Sequence, residues 1–238
     1  MTAFGSPRRH FRVVDSTNKR ARELALEGAP SGTVVTAEEQ TSGRGRKGRT
    51  WVAPPGKALL YSAILRPLGL EHGLLPLAVP LAVCEAVESM ASLECRVKWP
   101  NDVWIEERKA AGVLVEARSP EWAVIGIGLN LSIEPADFPS NLRWPATSVG
   151  QGITGSAALR AVNERLGHWV DQSPGRVLEE FATRDALRGR EIRWEDAGSR
   201  SPSGSGRAEG IDDRGNLVVA TDDGKRLSLG AGEVQLAL

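Results

Sequence analysis

Apolar and polar positions alternate along this chain in two rhythms, one of about 3.6 residues and one of two. In "DSTNKRARELALEG", Ala21, Leu24 and Ala25 recur at helical spacing, with Asp15, Ser16 and Thr17 as candidate N-caps and Gly28 as a stop. "GTVVTAEEQ" reads as a strand, and "ALLYSAIL" (58–65) as a buried one. "LLPLAVPLAVCEAVESMA" places Leu77, Leu81, Cys84, Val87 and Met90 three or four apart, the mark of a helix. Pro76 suits its first turn, while Pro80 predicts a kink or a later start. "CRVKWP", "DVWIEE", "KAAGVLVEA" and "WAVIGIGLNLS" follow as four short strand-like segments. The turns between them are too short for crossover helices, which predicts an antiparallel meander. Two more helices are expected at about 156–171 and 175–188. After Gly189 the pattern changes: "SRSPSGSG" (199–206) reads as a flexible loop of small residues, and "GRAEGID", "NLVVAT" and "RLSLG" as short strands joined by "DDRG" and "DDGK" turns. The expected fold is α+β, a mixed or antiparallel sheet flanked by helices over residues 1–188, with a small β-barrel over 189–238.

Composition narrows the partners. Lys+Arg and Asp+Glu balance at 30 each in 238 residues, so the molecule is not a polycation and does not coat nucleic acid. No apolar run is read as approaching the ~20 residues of a membrane span, and the N-terminus lacks the apolar segment of a secretory signal. Cys84 and Cys95 lack CxxC spacing, which points to a reducing cytoplasm and away from a disulfide framework. His10, His72 and His168 are scattered, so no His metal site is expected.

Against that neutral background, "GRGRKGRTW" (43–51) is a local device. Gly43, Gly45 and Gly48 permit positive φ and close backbone approach, and successive backbone N–H groups form an anion-binding concavity. Arg44, Arg46, Lys47 and Arg49 add charge, and Arg can grip a carboxylate or phosphate with two donors. Their mutual repulsion predicts a loop that is mobile until a polyanion orders it. The spacing is not that of a Walker A loop. Farther on, "KWPNDVWIEERKAAG" (98–112) predicts a hairpin that returns Lys109 near Lys98, with Asn101 and Asp102 in a tight turn after Pro100.

"STN" (16–18), "EEQTSGRGRKGRTW" (38–51), "KWPND" (98–102), "RKAAGVLVE" (108–116) and "GIGLNL" (126–131), in this order, closely resemble the catalytic domain of the biotin protein ligases. The likeness runs from about Asp15 to Gly189, and the remaining β segment looks like that family's SH3-like C-terminal domain. Some members carry an N-terminal DNA-binding winged helix. Here "STN" begins at residue 16, so the resemblance implies a monofunctional ligase with no DNA or membrane partner, a monomer or homodimer.

The reaction so implied joins biotin's carboxylate to the α-phosphate of ATP, giving biotinyl-5′-AMP and pyrophosphate. A lysine of the biotin carboxyl carrier protein then takes the acyl group. Two anions must be held together, so the step needs fixed cations and donors, and a closed loop keeps water from the adenylate. By the resemblance, Ser16, Thr17, Asn18 and Gln40 bind the ureido head, whose carbonyl and two N–H groups match short hydroxyl and amide side chains. Arg44, Gly45 and Arg46 contact biotin's tail and the adenylate. Lys109 sits where carboxylate and α-phosphate meet, with Lys98 as a second cation. Arg49, Asn101, Trp51 and Asn130 are further adenylate candidates, Trp51 reading equally well as a loop anchor in the core. Asp102 either holds Mg²⁺ or orients a donor. Gly112 and the "GIGLN" strand form a wall with room for the thiophene ring and valeryl chain. Two other readings are weighed against this one. A lipoate ligase of similar architecture has no use for a polar Ser-Thr-Asn/Gln pocket, because lipoate lacks a ureido ring. An RNA-binding module fits poorly with zero net charge and a basic loop without interleaved aromatics.

Overall fold

The computed structural model describes residues 2–142, 144–195, 203–230 and 233–236. The chain runs β1 (Arg8–Val14), α1 (Thr17–Leu26), β2 (Val34–Gln40), β3 (Ala58–Leu65), α2 (Leu75–Met90), β4 (Arg96–Lys98), β5 (Asp102–Ile105), β6 (Arg108–Arg118), β7 (Trp122–Asn130), α3 (Gly155–Trp169) and α4 (Pro174–Arg184). It continues through β8 (Glu191–Glu195), β9 (Gly204–Ile211), β10 (Leu217–Ala220), β11 (Arg226–Leu229) and β12 (Glu233–Leu236). The first seven strands form one sheet in the order β1-β2-β3-β7-β6-β5-β4. Only the β1–β2 pair is parallel, so the predicted meander is the antiparallel run β4 to β7.

Strand β3 is buried along its whole length, and its two parities feed different layers. Leu59, Tyr61, Ala63 and Leu65 join Ile125, Ile127 and Leu129 of β7 in a core covered by α2 and α3. On the other face, Ile64 packs with Val35, Trp122 and Val124 under Ala21 and Ala25 of α1, whose short side chains let the helix lie close. Farther along that face, Ser62 is buried beside Thr17 and Asn18, Ala58 and Leu60 pack with Val14 and Ala37, and Gly126, Gly128 and Gly112 are left for a cleft.

Helix α2 is buried nearly all round, as its sequence demands. It starts at Leu75 and runs on through Pro80, so the later start expected from that proline is not taken. The cost is the bond a non-proline residue there donates to the carbonyl of Pro76. With the 3₁₀ turn before it, the stretch Leu70–Met90 is 21 residues long and contains an 18-residue window of mean hydropathy 1.5, apolar and long enough to cross a bilayer. The reading that no run approaches that length therefore needs correction; 67% of that window is buried inside the fold, where it serves as the core helix. Helix α4 stops at Arg184 rather than near 188, where Asp185 accepts the Leu187 N–H and pairs beside Val97.

The C-terminal strands form an SH3-like five-stranded antiparallel sheet, ordered β11-β10-β9-β8-β12. Residues 199–202 of the expected flexible loop lie outside the described residues, but Gly204–Gly206 are strand, not loop. Trp194 lies against Gly204, where a Cβ would collide with its indole. Ile192, Trp194, Leu217, Val219 and Leu229 belong to the same buried cluster as Leu74, Leu77 and Trp99. Trp99 Nε1 donates to the Gly215 carbonyl at 3.0 Å, tying this sheet to the end of β4.

Candidate active site

The face left bare by α1 is a cleft of about 410 Å³. Its floor is made by alternation in β6 and β7. Gly112 pairs directly across from Gly128, and Leu114 from Gly126. A Cβ at Gly126 would collide with the Asn18 amide, and one at Gly128 with the Trp51 indole. Glycine is needed here for close side-chain approach, and the strand's apolar partners, Ile125, Ile127 and Leu129, point into the core. Asn18 and Trp51 thus already occupy part of the room expected over this wall.

One end of the cleft is neutral and closed by hydrogen bonds. Ser16 is the N-cap of α1, accepting the Lys19 N–H. Gln40 Oε1 accepts the Thr17 backbone N–H at 2.7 Å and faces the Thr17 hydroxyl at 3.0 Å. A backbone N–H can only donate, so the Gln40 oxygen is fixed toward Thr17 and its NH₂ is left for another acceptor. Ser62 Oγ lies 2.8 Å from Thr17 Oγ1 and 2.6 Å from Asn18 Oδ1. Asn18 Nδ2 donates to Glu116 Oε2 at 2.9 Å. Ser16, Thr17, Asn18 and Ser62 are all buried.

The other end is charged. Lys109 Nζ is 2.7 Å from Asp102 Oδ1 and 5.5 Å from the Trp51 ring centre. Arg46 Nη1 donates to Asn101 Oδ1 at 3.3 Å, and Asn101 is held by its own bond to the Val113 carbonyl at 2.5 Å. Burial pushes the Arg46 guanidinium below its usual pKa, and the Asp102 charge pulls it back up. Lys98 is buried, with Nζ 4.8 Å from the Trp144 ring centre and 5.8 Å from that of Trp104. Asp102 therefore already orients a donor, Lys109, and its other expected role, holding Mg²⁺, must compete with that pair. Asn130 gives its amide to the Thr147 carbonyl at 3.0 Å, beneath a bridge between Lys109 and Ala146. Its amide nitrogen thus braces the segment that holds Lys109, and Asn130 also lines the cleft.

The basic loop spans the two ends. Of its three glycines, only Gly48 takes positive φ, at +73°. Gly43 is needed because a Cβ would meet the Trp51 carbonyl, Gly45 is extended, and Lys47 takes the left-handed conformation at φ 54° instead. Arg44 pairs across the loop with Thr50 and forms an ion pair with Glu116 at 3.2 Å. It therefore belongs to the neutral end, while Arg46 belongs to the charged one. Gly45 and Arg49 line the cleft between them. Trp51 lines it too, and it packs against Val14, Ala37, Ala58 and Leu60, so it anchors the loop in the core while one edge of it faces the cleft. Its Nε1 is buried without a hydrogen-bond partner.

Residues 10–130 match the model of the biotin/lipoate A/B protein ligase family, and residues 189–237 that of the biotin protein ligase C-terminal domain. The chain belongs to the biotin protein ligase family. The ligase is 31% identical to the biotin–[acetyl-CoA-carboxylase] ligase of Mycobacterium tuberculosis, over 97% of this chain and 90% of that one. It is 34% identical to the bifunctional ligase/repressor BirA of Bacillus subtilis, over 89% of this chain and 69% of the relative. Among solved structures, the biotin protein ligase of Aquifex aeolicus in complex with biotin and ATP superposes with a TM-score of 0.84 at 27% identity, covering 98% of this chain and all of that one.

Several lining or supporting residues of the ligase escape the sequence reading. Ser62 sits inside what looks like a purely apolar strand. Glu116 closes the "RKAAGVLVE" segment without any local sign of a partner. Phe138, Leu142 and Trp144 reach the cleft from a stretch without periodicity, and Val234 from the C-terminal sheet. Alternation along β3 is the signal that could have found Ser62, since it shares a parity with Leu60 and Ile64.

Proposed function

We propose that this cleft activates biotin with ATP and transfers the acyl group to one lysine of a biotin carboxyl carrier protein. ATP-dependent biotin ligation itself follows from family membership. The observation that supports the residue-level reading is the polarity of the cleft. A buried hydroxyl–amide end and a cationic end lie on one glycine floor, as a ureido head and a carboxylate facing a triphosphate require.

In this reading Ser16, Thr17, Asn18 and Gln40 hold the ureido ring. The Gln40 NH₂, left over from its bond to Thr17, offers a donor to the ureido carbonyl. Lys109 and Arg46 stand where the carboxylate meets the α-phosphate, and they stabilise the charge that builds as the new C–O–P link forms and pyrophosphate leaves. Lys98 and Arg49 supply further positive charge for the departing phosphates. In the second step the carrier's ε-amine attacks the acyl carbon, the same cations hold the leaving AMP phosphate, and the loop keeps water out. Asp102 is the acidic side chain among the described residues that line the cleft, which fits a Mg²⁺ brought in on the triphosphate rather than a cage of protein ligands. Bound there, such an ion supplies charge neutralisation at the phosphates.

Incubation with biotin and ATP, with pyrophosphate release and the enzyme-bound acyl-adenylate followed by mass spectrometry, tests the reading. Lipoate in place of biotin is expected to give no adenylate, and equal turnover of the two acids would remove the ureido pocket from the account.

A further inference from the structure

Glu116 stands on β6 on the same face as Gly112, and its two oxygens serve different masters. Oε1 is 3.2 Å from Arg44 Nη1 at the start of the basic loop. Oε2 accepts from Asn18 Nδ2 at 2.9 Å on the floor of the neutral end. We propose that Glu116 is a positioning residue that ties recognition of the ureido ring to the placement of the basic loop. The inference rests on the proposed function of the cleft.

A carboxamide can face either way, and nothing in Asn18 itself chooses. A carboxylate is acceptor-only, so Glu116 must face the NH₂ of Asn18. The Asn18 oxygen is then turned toward Ser62, 2.6 Å away, with its second lone pair left to the cleft. That is the acceptor a ureido N–H requires; a flipped amide would set N–H against N–H. The same carboxylate carries a negative charge into a site that binds anions, which is unfavourable unless a cation matches it. Arg44 does so, and in doing so it fixes one edge of the loop through its pairing with Thr50. The two arms differ in strength. Asn18 is 5% exposed, whereas the Arg44 side chain is 46% exposed and its ion pair is correspondingly screened.

The test uses the full chain and three substitutions, Glu116→Ala, Glu116→Gln and Arg44→Gln, plus the Arg44→Gln/Glu116→Ala pair. Two quantities are read: biotin affinity by calorimetry without ATP, and the rate at which preformed biotinyl-AMP leaves the enzyme. Glu116→Ala is expected to weaken biotin about tenfold, the worth of a hydrogen bond to a charged group, and to speed adenylate release. Arg44→Gln should speed release but weaken biotin less than Glu116→Ala does. The double variant should release no faster than Glu116→Ala alone, because both changes remove one anchor. Gln at 116 can satisfy one arm only, so it should depart from wild type in one readout and not in both, a split that a loss of general stability would not produce. Wild-type values for Glu116→Gln in both readouts, or additive effects in the double variant, overturn the proposal, even if Glu116→Ala fails to fold. A wild-type enzyme that releases no pyrophosphate overturns the reading of the cleft itself, and does so before any variant is compared.

Discussion

At one end of the cleft, Thr17, Asn18, Ser62 and Gln40 bond to one another, so the ligand-free protein already has its donors and acceptors in place. At the other, Lys109, Arg46 and Lys98 crowd around Asp102 and three tryptophans, a cluster of cations at the carboxylate that lines the cleft. The first end is built for specificity. Its hydroxyl and amide groups are uncharged and, Gln40 apart, buried, and a ligand lacking the matching pattern leaves them unpaired. The second is built for charge that is absent until the substrates arrive and grows as they react. Changes at the first should therefore appear in binding, and changes at the second in the chemical step.

Lys109→Ala gives the largest expected effect. Removing one positioned cation from a reacting phosphate should lower adenylate formation by about 10²- to 10³-fold. Biotin affinity without ATP should change far less. Lys109→Gln keeps a donor for Asp102 but not the charge, and it is expected to be nearly as inactive. Near-normal pyrophosphate release by either variant would break the division between the two ends.

Gly126→Ala attacks the neutral end as sharply. Its Cβ would collide with the Asn18 amide, whose Cγ and Nδ2 it would meet at 2.8 and 2.9 Å, so the amide must move and the strand need not. Biotin should bind on the order of a hundredfold more weakly, two hydrogen bonds being misplaced at once. Because the displaced amide leaves its buried partners Ser62 and Glu116, melting temperature should fall by a few degrees, about 1–2 kcal/mol, with the cooperative transition kept; loss of that transition by circular dichroism would show that the glycine serves folding rather than binding.

Arg46→Gly tests the link between the ends. Arg46 holds the loop to Asn101 while lending charge beside Asp102. Its loss should speed escape of biotinyl-AMP by about tenfold, with a smaller effect on biotin itself. Leaked adenylate should label lysines on bystander proteins, which mass spectrometry detects. Labelling confined to the carrier would count against the lid role.

Much of both ends was legible because each motif is short and continuous. "STN" caps a helix, "GRGRKGRTW" concentrates charge and glycine, and "KWPND" with "RKAAG" flanks one hairpin. What escaped is instructive in physical terms. Strand β1 carries Arg8, Arg9, His10 and Arg12 and sends only Phe11 and Val14 inward, because it is a sheet edge where charge is tolerated and Arg8 and His10 meet on Thr36. Trp144 comes to Lys98 through the pairing of Lys109 with Pro145 and Thr147, a tertiary bond with no local signature. Val234 arrives from a separate sheet. The helix through Pro80 shows packing overriding propensity, since a helix buried over most of its surface forms despite the missing bond.

The smallest expected effect is at Ser62, and it makes the sharpest distinction. Ser62 is fully buried and has one proton for two neighbours. The Asn18 oxygen cannot donate, so that proton goes to Asn18, and the Thr17 hydroxyl turns to Ser62 or to Gln40. Ser62→Ala therefore takes one donor from Asn18 and leaves Thr17 its bond to Gln40. Glu116 still holds the Asn18 nitrogen, so the amide keeps its direction. The loss should be about 1 kcal/mol, a roughly fivefold rise in biotin KM. The ureido ring lies away from the reacting carboxylate, so its contacts are the same in ground and transition states. Such uniform binding affects KM and leaves kcat alone. Steady-state pyrophosphate release at saturating ATP separates the two constants. A fall in kcat at unchanged KM would mean that the neutral end takes part in the chemistry, and the contrast between the two ends would no longer hold.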